Sequence, residues 1–188
     1  LSIQELPREV HKKGDHAGSL GESFDAKPLL QAALTGSDIG LISEAGMPAI
    51  ADPGSSVVRA AHSLGIEVIP LVGPISLMLA LAASGLNGQN FAFIGYLPQD
   101  AELRSKRIKE LETLSRQTHQ TQLFIETPYR NAALLKVLLQ TLNPNTHLSL
   151  SLGLTLDAAS TCSKKVAMWR QNQSTLPLSL PAVFGILA

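Results

Sequence analysis

The run DIGLISEAGMPAIADPG, Asp38 to Gly54, followed by IEVIPLVGPIS, Ile66 to Ser76, decides how the chain is expected to fold. Ile39 to Ile42 is an apolar run of strand length that stops abruptly in a small, Gly- and Pro-rich loop. The loop closes at Asp52-Pro53-Gly54. Ser55-Ser56 can then cap a helix carrying Val57, Val58, Ala61 and Leu64 at helical spacing, ended by Gly65. A second apolar run, with a strand over Ile66 to Leu71, stops at Gly73-Pro74 and leads into a second helix near Ser76. Two strand–loop–helix units of this kind offer a nucleotide-sized ligand a place at the carboxyl edge of a parallel sheet. The first loop, taken alone, also fits an ordinary βα connection.

Working outward, residues 1–26 mix basic and small residues around Pro7, Gly14, Gly18 and Gly21 and read as a mobile loop, or by analogy a substrate-facing flap. Asp25 or Lys27 begins a short helix with Leu29, Leu30, Ala33 and Leu34 on one face and Gly36 as its stop. Downstream, Ser76 to Ser84 is a helix without a polar face, which implies burial from several sides, either between sheet and partner domain or in a dimer contact. Phe91 to Ile94 reads as a strand and Gly95 to Asp100 as the linker. Asp100 can cap a charged helix over 101–116, striped by Leu103, Ile108, Leu111 and Leu114. A strand over Gln122 to Glu126, a turn at Thr127-Pro128 and a helix from Asn131 to Leu142 follow. Thr146 to Leu152 alternates as a strand, Lys165 to Trp169 is a strand end or short helix, and Ala182 to Leu187 closes the chain as a strand. The alternation falls into two α/β blocks, 1–95 and 99–188.

Composition bounds the function. The 188 residues are 45% hydrophobic and only 4% aromatic, so the core is built from Leu, Ile, Val and Ala, as in α/β proteins with near-continuous apolar strands. Fifteen basic residues balance fifteen acidic ones, so the basic excess usual in non-specific nucleic-acid binders is missing. One cysteine, Cys162, excludes an internal disulfide. No apolar run approaches membrane-spanning length, so no membrane partner is expected and a cytoplasmic location is the default. The five histidines have no metal-ligand spacing, and no metal site is expected.

Four motifs in order, SEAGMPAIADPG, LVGPISLMLALAASGL, FIGYLP and FIETPYRN, resemble the tetrapyrrole-methylase superfamily of S-adenosylmethionine-dependent methyltransferases. Within it they are most similar to the ribosomal RNA small-subunit methyltransferase I branch, which methylates a cytidine 2′-hydroxyl of 16S rRNA. The resemblance runs from about Leu41 to Arg130 and thins towards Ala188. It implies two α/β domains, with a mostly parallel sheet in the first, a mixed sheet in the second and S-adenosyl-L-methionine in the cleft between them. It also implies a homodimer and, in the RNA-modifying branch, structured RNA of the 30S subunit as partner. That superfamily normally opens with a strand and a Pro-Ile-Gly-Asn-like turn that nothing here matches, so the first strand and loop are expected to be missing.

By the same resemblance, Ser43, Gly46, Met47, Pro48, Asp52, Gly73, Pro74, Ser76 and Thr127 are the candidate cofactor-binding residues. Asp52 serves equally well as a helix cap or Asx-turn, and Ser76 can cap its helix while touching ligand. The turn Gly73-Pro74-Ile75-Ser76 departs from the Pro-Gly-x-Ser-Ser pattern, with Val72 for Pro and Leu77 for the second Ser. Transfer to a hydroxyl benefits from a positioned base, and Glu44 and Glu126, the acids at strand ends, are the candidates; alignment alone can supply much of the acceleration. Arg130, Arg104 and Arg107 are candidate substrate-binding residues. The plainer readings are a Glu126–Arg130 ion pair that shapes a turn, and a solvated helix face on which Arg104, Lys106, Arg107 and Lys109 are balanced by Glu102, Glu110 and Glu112. Methylation of a tetrapyrrole or another small molecule, favoured by the zero net charge, and a non-catalytic cofactor-binding or dimerisation module are the competing functions.

Overall fold

The computed structural model describes residues 2–7, 24–171 and 176–188. Most of the stretch read as a flap therefore lies outside the described residues. The chain divides into two compact units, Leu1–Ile75 and Ser76–Ala188. The division falls between Ile75 and Ser76, ahead of the expected linker at 95–100, so the helix at Ser76 and the strand at Phe91 belong to the second unit.

In the first unit a 3-10 turn, Lys27–Leu30, runs into helix α1, Gln31–Leu34, and Gly36 follows with φ of 90°. Helix α2, Ser55–Ser63, buries Val57, Ala60 and Ala61 against Ala26 and Leu30, which makes the unit's small core. The expected strands Ile39–Ile42 and Ile66–Leu71 are not strands. Among the described residues of this unit no ladder forms, and the mostly parallel first sheet is corrected accordingly. A run is a strand only when a neighbour accepts its backbone bonds. Here Ile42 and Leu71 are each 79% exposed instead of buried between strands.

The second unit holds the sheet. Helix α3, Ser76–Ser84, precedes strand β1, Phe91–Tyr96, and helix α4, Ala101–Thr118. Then come β2, Thr121–Glu126, a 3-10 turn, Pro128–Arg130, and α5, Asn131–Thr141. Strands β3, His147–Leu152, and β4, Ser160–Lys165, helix α6, Val166–Gln171, and β5, Ala182–Leu187, complete it. The strand order is β1-β2-β5-β3-β4; β1 and β2 are parallel and the other neighbours antiparallel, so the sheet is mixed as expected. Strand β4 escapes a reading by periodicity because STCSKK is polar but for Cys162; it is an edge strand, paired with β3 among the described residues.

One face of the sheet carries Phe124, Phe184, Leu148, Leu150 and Leu152, packed with Ile108 and Leu111 of α4, Leu134 and Leu138 of α5, and Trp169 of α6. The Phe124 and Phe184 rings stack with centroids 5.7 Å apart. Trp169 donates from Nε1 to the Leu148 carbonyl at 2.9 Å, so its one polar atom is satisfied in the core. Helix α3 packs against β3, β4 and β5 through one face, burying Leu77, Ala80 and Leu81. Met78 and Leu79, on its other sides, are 37% and 40% exposed. Asp100 caps α4 as expected, accepting from the Leu103 N–H at 2.9 Å.

Candidate functional site

Strands β1 and β2 run side by side, so their carboxyl ends, Tyr96 and Glu126, open on the same edge of the sheet. A cavity of about 280 Å³ lies there within the second unit. Its lining includes Ser76 at the start of α3, Tyr96, Ile125, and the Glu126-Thr127-Pro128 turn. Ser151, Leu154 and the Pro181–Val183 stretch complete it.

The turn after β2 is built on one buried carboxylate. Oε1 of Glu126 accepts from the Thr127 N–H at 2.7 Å, from Arg130 Nε at 2.9 Å and from Arg130 Nη2 at 2.8 Å. Arg130 Nε also reaches the Thr127 hydroxyl at 3.1 Å. Thus Glu126 and Arg130 are held together, in the arrangement of the turn-shaping ion pair, while Glu126 and Thr127 still line the cavity. Pro128, first residue of the 3-10 turn, pre-sets the backbone there. The next residue, Asn131, is fully buried and donates from Nδ2 to the Leu178 and Leu180 carbonyls, each at 2.9 Å. It thereby ties the turn to the segment that delivers Pro181 and Ala182 to the cavity wall.

The loops of the first unit are similarly closed on themselves. The Ser43 hydroxyl donates to the Gly46 carbonyl at 3.0 Å and to the Ala45 carbonyl at 3.3 Å. The Ala49 N–H donates to the Pro53 carbonyl at 3.1 Å, and Ala49 and Ala51 both adopt left-handed backbone, φ 63° and 56°. Non-glycine residues take this conformation at a cost, and such strain concentrates in loops that bind or clamp. The two Gly-rich turns approach each other. A Cβ on Gly46 would lie 3.9 Å from the Pro74 carbonyl oxygen, and one on Gly73 would lie 4.0 Å from Met47 Cε. Asp52 and Pro48 are half-buried, and Glu44 is exposed. The N-cap of α2 is Gly54, φ 137°, so the capping role weighed for Asp52 and for Ser55 falls to a backbone-only residue.

Of the basic residues, Arg107 pairs with Glu110 at 3.2 Å with both side chains nearly half exposed, a surface pair of small energetic weight. Arg104 is half-buried, and its Nε is enclosed without a hydrogen-bond partner among the described residues. Glu112 does not belong to the solvated face. It is 8% exposed and accepts from the Asn143 N–H at 2.7 Å and from the Thr146 hydroxyl, stapling α4 to the turn before β3. Spacing on α4 cannot reveal this, because the partners lie 31 and 34 residues away. Tyr96, Ser151 and Val183 were also not foreseen at the cavity. The alternation of Ser149 and Ser151 with Leu148, Leu150 and Leu152 was the one available signal, since it marks a second, more polar face of a buried strand.

No family model matches the chain. The fold is shared with the methyltransferase CobJ, at a TM-score of 0.55 and 18% identity, covering 85% of this chain and 69% of that one. Together with the sequence likeness below, it bears out the resemblance to the tetrapyrrole-methylase-like superfamily of S-adenosylmethionine-dependent methyltransferases. The named relatives are proteins called Ribosomal RNA small subunit methyltransferase I. The one from Vibrio cholerae serotype O1 is 38% identical over 109 residues, 58% of this chain and 36% of the relative. That of Pseudomonas aeruginosa is 43% identical over 95 residues, 50% and 32%. That of Mesorhizobium japonicum is 38% identical over 128 residues, 68% and 41%. The chain therefore spans between about a third and two fifths of the length of these relatives.

Proposed function

We propose that the protein takes part in methyl transfer from S-adenosyl-L-methionine to an oxygen of structured RNA, the ribose 2′-hydroxyl of a 16S rRNA nucleotide. The observation that carries this reading is the 38% identity over 109 residues to a relative whose name states a ribosomal RNA methyltransferase. The cavity at the carboxyl ends of β1 and β2 fits the cofactor in kind. Its volume, about 280 Å³, is just under the range of roughly 300–1,000 Å³ usual for small-molecule sites, so it suits part of the molecule. The start of α3 at Ser76 offers backbone N–H groups to a carboxylate, and Thr127 and Ser151 offer hydroxyls. Gly46 and Gly73, with Ser43, Met47, Pro48, Asp52 and Pro74, are the further candidate cofactor contacts, on the loops of the first unit.

When bound, the cofactor supplies an electrophilic methyl group on a sulfonium. The chain's own contribution is alignment and proton handling. Glu126, already engaged by Arg130 and Thr127, holds the turn that faces the acceptor. Glu44 and Glu126 remain the candidate bases for the hydroxyl proton. Arg130, Arg104 and Arg107 meet the substrate. A homodimer, with the exposed apolar residues Met78 and Leu79 of α3 at its contact, belongs to the same reading, and a ribosomal substrate sets the activity in the cytoplasm. Sedimentation showing a stable monomer counts against the dimer. Among the described residues no helix is long and apolar enough to cross a membrane.

Isothermal titration with S-adenosylhomocysteine, with NAD as control ligand, tests the cofactor half; selective binding is expected and its absence overturns it. Incorporation of labelled methyl groups into 16S rRNA tests the acceptor. The zero net charge favours a second reading, methylation of a tetrapyrrole or another small molecule, which predicts cofactor binding with no incorporation into RNA.

A further inference from the structure

We infer that Tyr129 is a stacking platform for an unpaired RNA base adjacent to the nucleotide that receives the methyl group; this rests on the RNA reading above. The chain has two tyrosines, and both stand at the carboxyl end of the parallel strand pair. Tyr96 ends β1, lines the cavity and is 59% exposed. Tyr129 follows Thr127 and Pro128, both on the cavity wall, and is 81% exposed. An exposed aromatic residue by itself needs no explanation. Here, however, the ring is fixed from behind.

Arg130 Cζ lies over the Tyr129 ring, 5.3 Å from its centroid. That guanidinium cannot swing freely, because Glu126 Oε1 holds its Nε and Nη2 at 2.9 and 2.8 Å and Glu126 is itself 6% exposed. The 3-10 turn Pro128–Arg130 fixes the backbone on both sides of the tyrosine. A ring set in this way loses little freedom when a planar group settles on its open surface, which is the condition for an effective platform.

The charge arrangement selects the type of contact. Arg130 is paired with Glu126, and the whole chain has no net charge, so little attraction for phosphate comes from this turn. Stacking does not depend on that attraction and tolerates any base, so a neutral protein can hold single-stranded RNA here. A base laid on Tyr129 places its neighbour toward the cavity, whose wall includes the two preceding residues, Thr127 and Pro128. An unpaired segment fits and a continuous duplex does not, since a stacked duplex base has no free face.

The test is titration of a single-stranded oligoribonucleotide containing 2-aminopurine, whose fluorescence is quenched when the base stacks. The wild-type protein and Tyr129→Phe are expected to bind and quench alike. Tyr129→Ala is expected to bind roughly tenfold more weakly, without quenching and with an unchanged dependence on salt. Circular dichroism and S-adenosylhomocysteine titration of each variant separate folding and cofactor binding from this role. Equal binding and quenching by Tyr129→Ala overturns the inference. So does a wild-type protein that binds S-adenosylhomocysteine but not the oligonucleotide, or one that binds uroporphyrin III in a Tyr129-dependent way instead. Failure to bind S-adenosylhomocysteine, with Tyr129-dependent quenching intact, counts against the methyltransferase reading and leaves the platform standing.

Discussion

Arg130 donates twice to one oxygen of Glu126, from Nη2 at 2.8 Å and from Nε at 2.9 Å, four residues apart across the turn that follows β2. The carboxylate side chain is 3% exposed and the guanidinium 26%. A partner removed from such a pair leaves the other charge in a poorly solvated place.

Arg130→Ala is therefore expected to destabilise the second unit by about 3 kcal/mol, because Glu126 stays behind unpaired. Glu126→Gln, which keeps an acceptor for Thr127 N–H and Arg130, is expected to cost less than half as much. Urea denaturation followed by far-ultraviolet circular dichroism reads both. Equal losses for the two variants would assign the stabilisation to the charge of Glu126 instead of to the shape of the turn.

Gly54 stands where a side chain is strained and crowded. At φ 137° its added Cβ would lie 2.9 Å from Leu41 Cδ2 and 3.2 Å from the Ala49 nitrogen. Gly54→Ala thus combines backbone strain with overlap against backbone, and a loss of about 2–3 kcal/mol is expected. Because Ala49 is part of the loop closed on Pro53, the same variant should weaken S-adenosylhomocysteine binding in calorimetry. Unchanged affinity in a folded Gly54→Ala protein would detach this loop from the cofactor.

Glu112 joins α4 to the turn before β3 through the Asn143 N–H and the Thr146 hydroxyl. Glu112→Ala orphans two donors, one of them on a residue 2% exposed. A cost of about 2–3 kcal/mol is expected. Hydrogen exchange at the Asn143 amide should accelerate in step. Retained protection there would show that another acceptor takes over.

Asp100→Ala removes the side-chain cap from the first turn of α4 and should cost about 1 kcal/mol, whereas Asp100→Asn should be nearly silent. A shift in thermal midpoint measures it. Like effects from both variants would assign the stabilisation to charge at the helix start instead of to the bond with Leu103.

Local pattern carried much of the second unit. Helical spacing over 101–116 and strand alternation over 146–152 are each set by residues close in sequence, and the structure extends or trims them by only one or two residues. The turn Glu126-Thr127-Pro128-Tyr129-Arg130 was also legible as an ion pair, since its two opposite charges flank a short turn containing Pro128 and lie close in sequence. What failed were the apolar runs Ile39–Ile42 and Ile66–Leu71. Their composition suits a buried strand, but a ladder requires a second segment to accept its hydrogen bonds, and none pairs with them among the described residues.

Sequence by itself determined the α/β class of the second unit, the helix starts at Asp100 and Ser76, and a superfamily likeness carried by loops whose Gly and Pro positions dictate backbone shape. Tertiary structure alone decided the strand order β1-β2-β5-β3-β4, the burial of Glu112, and the meeting of Tyr96, Glu126, Ser151 and Val183 around one cavity. The physical reason is range. Capping, turn geometry and amphipathic spacing act within a few residues, whereas a cavity wall gathers side chains from strands whose order is settled by long-range pairing and core packing.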